Sequence, residues 1–281
     1  MLQVASDPTS SDKHSYPHSQ RRSGQSPAIQ LPPTLSRPAY AEVSRDAIIA
    51  VAPELAEVPA EYIRRGLRPR ANEMLGAFSA LALPSFLLRS RLSSSLAVPL
   101  RSPSPFAYPT HILAVSSPKS SSDQVMVFPI HSLVLASHCA QLPRLPPSHQ
   151  QPHSATLQLP VLPLSIPSPA AFSILHSFMY THRLDSVLKA LFPVPSGFLH
   201  SLSHEVVKNA LSSGATLHQL SSYLCASASS NLQTLMTHAG HVKELWQNMA
   251  ALGLHDPELW DTLDLAWEVL LGALNLAAGS Q

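Results

Sequence analysis

Fifteen histidines and two cysteines are the side chains of this 281-residue chain best suited to hold a metal or move a proton. His200 and His204 stand four apart, a spacing that puts two imidazoles on one helical face, and His238 and His241 stand three apart. A zinc site needs three or four ligands and a surrounding shell that orients them. Cys139 and Cys225 are isolated, with no CxxC pair, and the run from His200 to His204 lacks the glutamate of an HExxH pattern. Nothing completes a ligand set, so no metal is expected. Hydrolase and nucleotide chemistry have less support still. The chain has no GxSxG elbow, GxGxxG turn or P-loop, and its nine glycines are too scattered to cradle a phosphate. The expectation is a non-enzyme, with no catalytic residues and no cofactor.

Two groups of residues suit recognition instead. Arg64, Arg65, Arg68 and Arg70 make RRGLRPR the most basic stretch. It reads either as a solvated helix end, where cations complement the helix dipole, or as a patch for nuclear import or an acidic partner. Near the C-terminus, Leu259, Leu263, Trp267, Leu270 and Leu274 recur at the helical period. Trp260 falls beside that stripe. With Asp261 and Asp264 it forms the candidate partner-binding face, suited to a basic partner.

The elements that must position these residues follow from proline. Of 27 prolines, 24 precede residue 170, which predicts loops, short helices and edge strands first and long helices afterwards. Residues 1–38, rich in Ser, Pro, Gln and His, are expected to form a disordered head. Residues 39–83 read as short helices, the third ended by Gly66, and residues 84–109 as an irregular linker. The core is placed at 110–281. HILAVSS (111–117) and QVMVFPI (124–130) flank a polar turn and predict a hairpin. IHSLVLASHCAQL is apolar nearly all round, so a helix there must be buried on more than one side. TLQLPVLPLSIP reads as a strand that Pro160 and Pro163 confine to a sheet edge. Ser168 and Pro169 open a helix that lines up Phe172, Leu175, His176 and Met179. Ser203 caps the next helix. Thr216 and Gln219 form a capping box for a helix to residue 239, His241–Leu252 ends at Gly253, and Asp256, Pro257 and Glu258 start the last helix.

Charge is sparse, 12% of residues, about half the usual level of roughly 25%. It divides into +4 over residues 1–110 and −3 over 111–281. Neither value marks a dedicated nucleic-acid binder, for which a clustered basic face is expected. With no apolar signal segment, no run long enough to span a membrane and no paired cysteines, a soluble intracellular protein is expected.

His131 followed by Leu133, Val134, Leu135, Ala136 and Ser137, and later Phe178, Met179, Tyr180 and Thr181, resemble the second-strand and helix-end motifs of the BTB/POZ fold. His182 stands where that family usually has glycine. A wider resemblance, through AYAEVSRDAIIAVAPELAEVPAEYIRRGLRPRANEML, FPIHSLVLASHCAQLPRLPPS and HDPELWDTLDLAWEVLLGALNLA, is to the clampless-type proteins of basidiomycete fungi. That resemblance implies control of clamp-cell formation and the dikaryotic sexual cycle through protein contacts, without catalysis. The expectation is therefore an α+β protein: a small BTB/POZ-like sheet wrapped by helices, a helical C-terminal half and a disordered head. Homeodomain or other transcription factors are the expected partners, in a nuclear or nucleo-cytoplasmic setting. Homodimerisation stays open, and a substrate adaptor for a ubiquitin ligase is the alternative.

Overall fold

A computed structural model describes residues 31–101, 108–148 and 155–279. Most of the expected disordered head, residues 1–30, lies outside them, and residues 33–281 form one unit. Its centre is the expected hairpin, β3 (His111–Ser116) antiparallel to β4 (Gln124–Ile130). Ile112 to Val115 are buried without interruption, so β3 is covered on both faces.

The 84–109 stretch is not an irregular linker. It supplies both edge strands, β1 (Phe86–Leu88) on β4 and β2 (Ser95–Pro99) on β5 (Thr156–Ser165), giving the order β1-β4-β3-β5-β2. Leu87 of β1, Leu92 of the connection and Leu96 of β2 pack on one cluster with Ile112, Val127 and Leu159, so the sheet curls over that face.

β5 is also not an edge strand. It runs antiparallel to β2 over Thr156–Pro160 and parallel to β3 over Val161–Ser165. The prolines escape because the two partners cover different halves. Val161 N–H donates to Ser94 and Ile166 N–H to Ser116, so alternate residues face opposite neighbours. Pro160 then faces β3's side just short of the β3 pairing, and Pro163 faces β2's side beyond where β2 pairs. Neither ladder loses a donor.

Helix α4 (Ser132–His138) follows β4 and is buried along nearly its whole length, as its all-round apolar sequence requires. Short helices α1 (Arg45–Val51) and α2 (Ala60–Leu67) clasp it through Ile48, Ile63 and Ala136. Gly66 does not end α2; a 3₁₀ turn at Arg68–Arg70 leads straight into α3 (Ala71–Ser79). On the other sheet face lies α5 (Pro169–Thr181), Phe172 meeting Phe128 edge-on at 5.0 Å. The expected cap holds: Ser168 Oγ accepts from Ala171 N. Fully buried Asn248 clasps the same residue, accepting from its N–H and donating to its C=O.

The C-terminal half is helical: α6 (Leu184–Leu191), α7 (Ser196–His200), α8 (His204–Ser212), α9 (Gly214–Ser227), α10 (Leu232–Leu252) and α11 (Pro257–Gly279). Ser203 caps α8 as expected, but Ser213 and not Thr216 caps α9. The break between the long helices falls at 228–231 and not near Gly240. Ser229 and Ser230 take left-handed φ there, and Asn231 caps α10. α11 runs between α6, α8, α9 and α10. At Gly253, φ 60°, α10 turns back, and the turn bonds to the stretch after α4: Ala140 N to Gly253 O and Gln141 N to Leu252 O.

Candidate functional site

The expected face of Trp260, Asp261 and Asp264 does not exist as three exposed residues. Trp260 is 3% exposed and its indole N–H donates to Leu254 O at 2.9 Å, so it is core. An apolar stripe seen in sequence assumes one buried face; α11 is enclosed on several. The two aspartates do share a surface, and a basic group does sit on it. That group is the chain's own Arg37, whose Nη2 reaches Asp261 Oδ1 at 2.6 Å and also grips Asp264, with Nε 3.1 Å from the same Asp264 oxygen. His204 Nε2 lies 2.7 Å from Asp261 Oδ2. Desolvation works to raise Asp261, but hydrogen bonds from Arg37 and His204 outweigh it and leave the carboxylate below its usual range. Asp264, also desolvated, stays above its range despite Arg37. Next to this pair, Trp246 Nε1–H donates to Ser36 O at 2.9 Å and Leu35 is buried. Residues 35–37 are therefore packed, where the sequence led us to expect disorder up to residue 38.

The arginines of RRGLRPR lie on a helix and its 3₁₀ extension, and only some are solvated. Arg64 Nη1 donates to Ser137 O at 2.7 Å. Arg65 pairs with Glu61 at 2.8 Å and lies over the Tyr62 ring, and Arg70 pairs with Glu73 at 3.4 Å. Arg68 has no hydrogen bond or ion pair among the described residues. Arg64, Arg65 and Arg68 line a cleft of about 460 Å³ together with Asp256 and Glu258, at the start of α11, and with His182 and His255. Tyr40 and Tyr62 stand exposed nearby, Tyr40 against the His255 ring at 5.3 Å.

Under this cleft runs a line of buried polar groups that the sequence reading missed. His138 Nδ1 lies 2.8 Å from Val134 O, an acceptor, so Nδ1 carries the proton. Burial and the neighbouring His182 hold His138 neutral, its pKa lowered to about 3, so Nε2 is a lone pair. His182 Nε2–H must then donate across the 3.1 Å between the rings. That leaves His182 Nδ1 without a proton, buried and without a hydrogen-bond partner among the described residues, 3.7 Å from Asp256 Oδ2. Burial lowers His182 to about 4 and raises Asp256. His182 also has φ 49°, an αL conformation that costs a non-glycine residue energy. The one sequence signal was its place at a position the BTB/POZ pattern gives to glycine. The two motif stretches do meet: Tyr180 OH accepts from His131 N–H and lies 3.0 Å from its Nδ1.

The histidine pairs do not assemble a metal site among the described residues. His200 ends α7 and His204 begins α8, so they share no helix face; His200 Nδ1 bonds Ser196 O while His204 faces Asp261. His238 donates to Leu191 O. Among the described residues no helix is long and apolar enough to cross a membrane.

Residues 38–167 match the Clampless protein 1 N-terminal domain and residues 185–281 the Clampless protein 1 C-terminal domain. The chain belongs to the Clampless protein 1 family. Clampless protein 1 of Cryptococcus neoformans var. neoformans serotype D, strains JEC21 and B-3501A, is 30% identical over 133 residues, which is 47% of this chain and 24% of each relative. The match thus spans about a quarter of those relatives' length. No solved structure matches the chain. The two family domains meet in this fold: Arg64, Arg68 and His138 come from the first and Asp256 from the second, while His182 lies between the matched spans.

Proposed function

We propose that this protein is a non-enzymatic regulator of clamp-cell formation and sexual development that acts through protein contacts. The observation that carries the reading is the pair of clampless family domains in order along one chain. The surface supports it: the cleft between them is lined by Tyr40, Arg65 and Arg68, the last without an ion pair among the described residues, and these residue types concentrate binding energy at protein interfaces. Transcriptional regulators, homeodomain proteins among them, are the proposed partners, with action in the nucleus. Arg64 and Arg65 are held on α2 and Arg68 and Arg70 on its 3₁₀ extension, which fits poorly with an import signal read as an extended basic peptide.

A second reading, a BTB-type adaptor for a ubiquitin ligase, draws on the order hairpin, α4, β5, α5 around a central β3. Affinity purification of the tagged chain from mating cells separates the two. Recovery of transcription factors supports the first reading, and recovery of a cullin supports the second. Deletion of the gene with no effect on clamp cells or mating would remove the developmental role.

A further inference from the structure

Residues 35–40 form no helix or strand, yet they cross the C-terminal helices as an extended strap held at four points. Leu35 is buried, the Ser36 carbonyl takes the indole N–H of Trp246, the Arg37 guanidinium is gripped by Asp261 and Asp264, and the Tyr40 ring meets His255. The partners lie more than 200 residues along the chain. An apolar anchor, a main-chain carbonyl held by a side-chain donor and a guanidinium in paired carboxylates are the contacts by which a folded surface reads a short extended peptide. They ask little of the sequence: an apolar residue, then any residue, then arginine.

The receiving surface belongs to the helices. Asp261 and Asp264 are one turn apart on α11, Trp246 is on α10, and His204 of α8 already orients Asp261. Without a cation, two partly desolvated carboxylates would face each other across one helical turn, which favours a guanidinium over a neutral group. Solvent reaches the strap: Ser36 is exposed and the Arg37 side chain retains 42% of its exposure.

We propose that the surface of Trp246, Asp261 and Asp264 is a docking site for an extended, arginine-bearing segment of a partner protein, and that Leu35–Arg37 holds this site closed in the free chain. A tethered strap acts at an effective concentration on the order of millimolar. A competing segment therefore binds weakly until the strap is weakened or outmatched. This is a property of the purified chain and stands apart from any developmental role.

The test uses a fluorescent peptide with the sequence of residues 31–41, LPPTLSRPAYA, and the full-length chain. Fluorescence anisotropy should show the Leu35→Ala/Arg37→Ala chain binding it at least tenfold more tightly than the unmodified chain. Adding Asp261→Asn and Asp264→Asn should remove that gain, and a peptide with glutamate for arginine should not bind. The Arg37→Ala chain, which keeps the Leu35 anchor, serves if the double variant melts early, and it should show the same order of affinities. Equal binding by modified and unmodified chains, or no binding by a strap variant whose circular dichroism and melting match the parent, overturns the proposal. So would a gain in binding that survives loss of both aspartates.

Discussion

His138, His176 and His182 are buried and neutral, held there mainly by desolvation at about 3, 4 and 4 against an ordinary 6.5. Between those values and 6.5 the unfolded chain binds more protons than the folded one, so stability must rise with pH in that window. The benefit is complete above 6.5 and is lost as pH falls toward 4. Asp256, raised by burial, works in the opposite direction just above its ordinary value and offsets part of the slope. Urea unfolding between pH 7.5 and 4.5 should show stability falling by up to about 1.4 kcal/mol per pH unit for each such histidine. A flat profile would mean that the rings are hydrated. Trp260 is the residue whose role changes most on folding. Its alanine variant should lose about 3–5 kcal/mol of stability, because a large buried ring and its bond to Leu254 both go. Thermal melting checks this, and an unchanged Tm would return Trp260 to the surface.

Elements were legible where neighbours in sequence decide them. The β3–β4 hairpin, the Ser168 and Ser203 caps and the Gly253 terminus are all settled within a few residues, by turn composition, side-chain oxygens and a left-handed φ. β1 and β2 were missed because their apolar residues reveal no strand until β4 and β5 are there to pair with. Close helix approach was equally hidden. A Cβ at Gly272 would collide with Ser221 Oγ, so α9 and α11 pack at a distance only glycine permits. Gly272→Ala should therefore destabilise the protein by about 1–3 kcal/mol, although alanine favours a helix. Ser221→Gly in the same chain should recover part of that loss, and a double-mutant cycle measures the coupling. Additive losses would place the two helices further apart.

At the scale of the molecule, the two family domains are stitched together. Ala140 and Gln141 donate to the Gly253 turn, and the cleft over His182 is lined by residues of each domain. All three tryptophans lie between residues 246 and 267, so their fluorescence reports the second domain and, through the bond of Trp246 to Ser36, the segment docked on it. Far-UV circular dichroism reports both domains. Unfolding followed by the two signals should give coincident transitions. Separate midpoints would show that the domains unfold independently.

The sequence by itself determined the α+β class, the proline-poor helical half, the Ser168 and Ser203 caps, the hairpin, the buried α4 and the resemblance to the clampless family. These rest on periodicity, on backbone chemistry that proline and glycine restrict, and on motif spacing, all of which are local. The tertiary structure alone decided that Trp260 is core, that β5 is interior, that Asp261 and Asp264 hold Arg37, and that His182 faces Asp256. Each of these depends on groups far apart in the chain: 224 residues separate Arg37 from Asp261. Side-chain type says what a residue could bind, but only the folded chain says which partner reaches it and how much water is left between them.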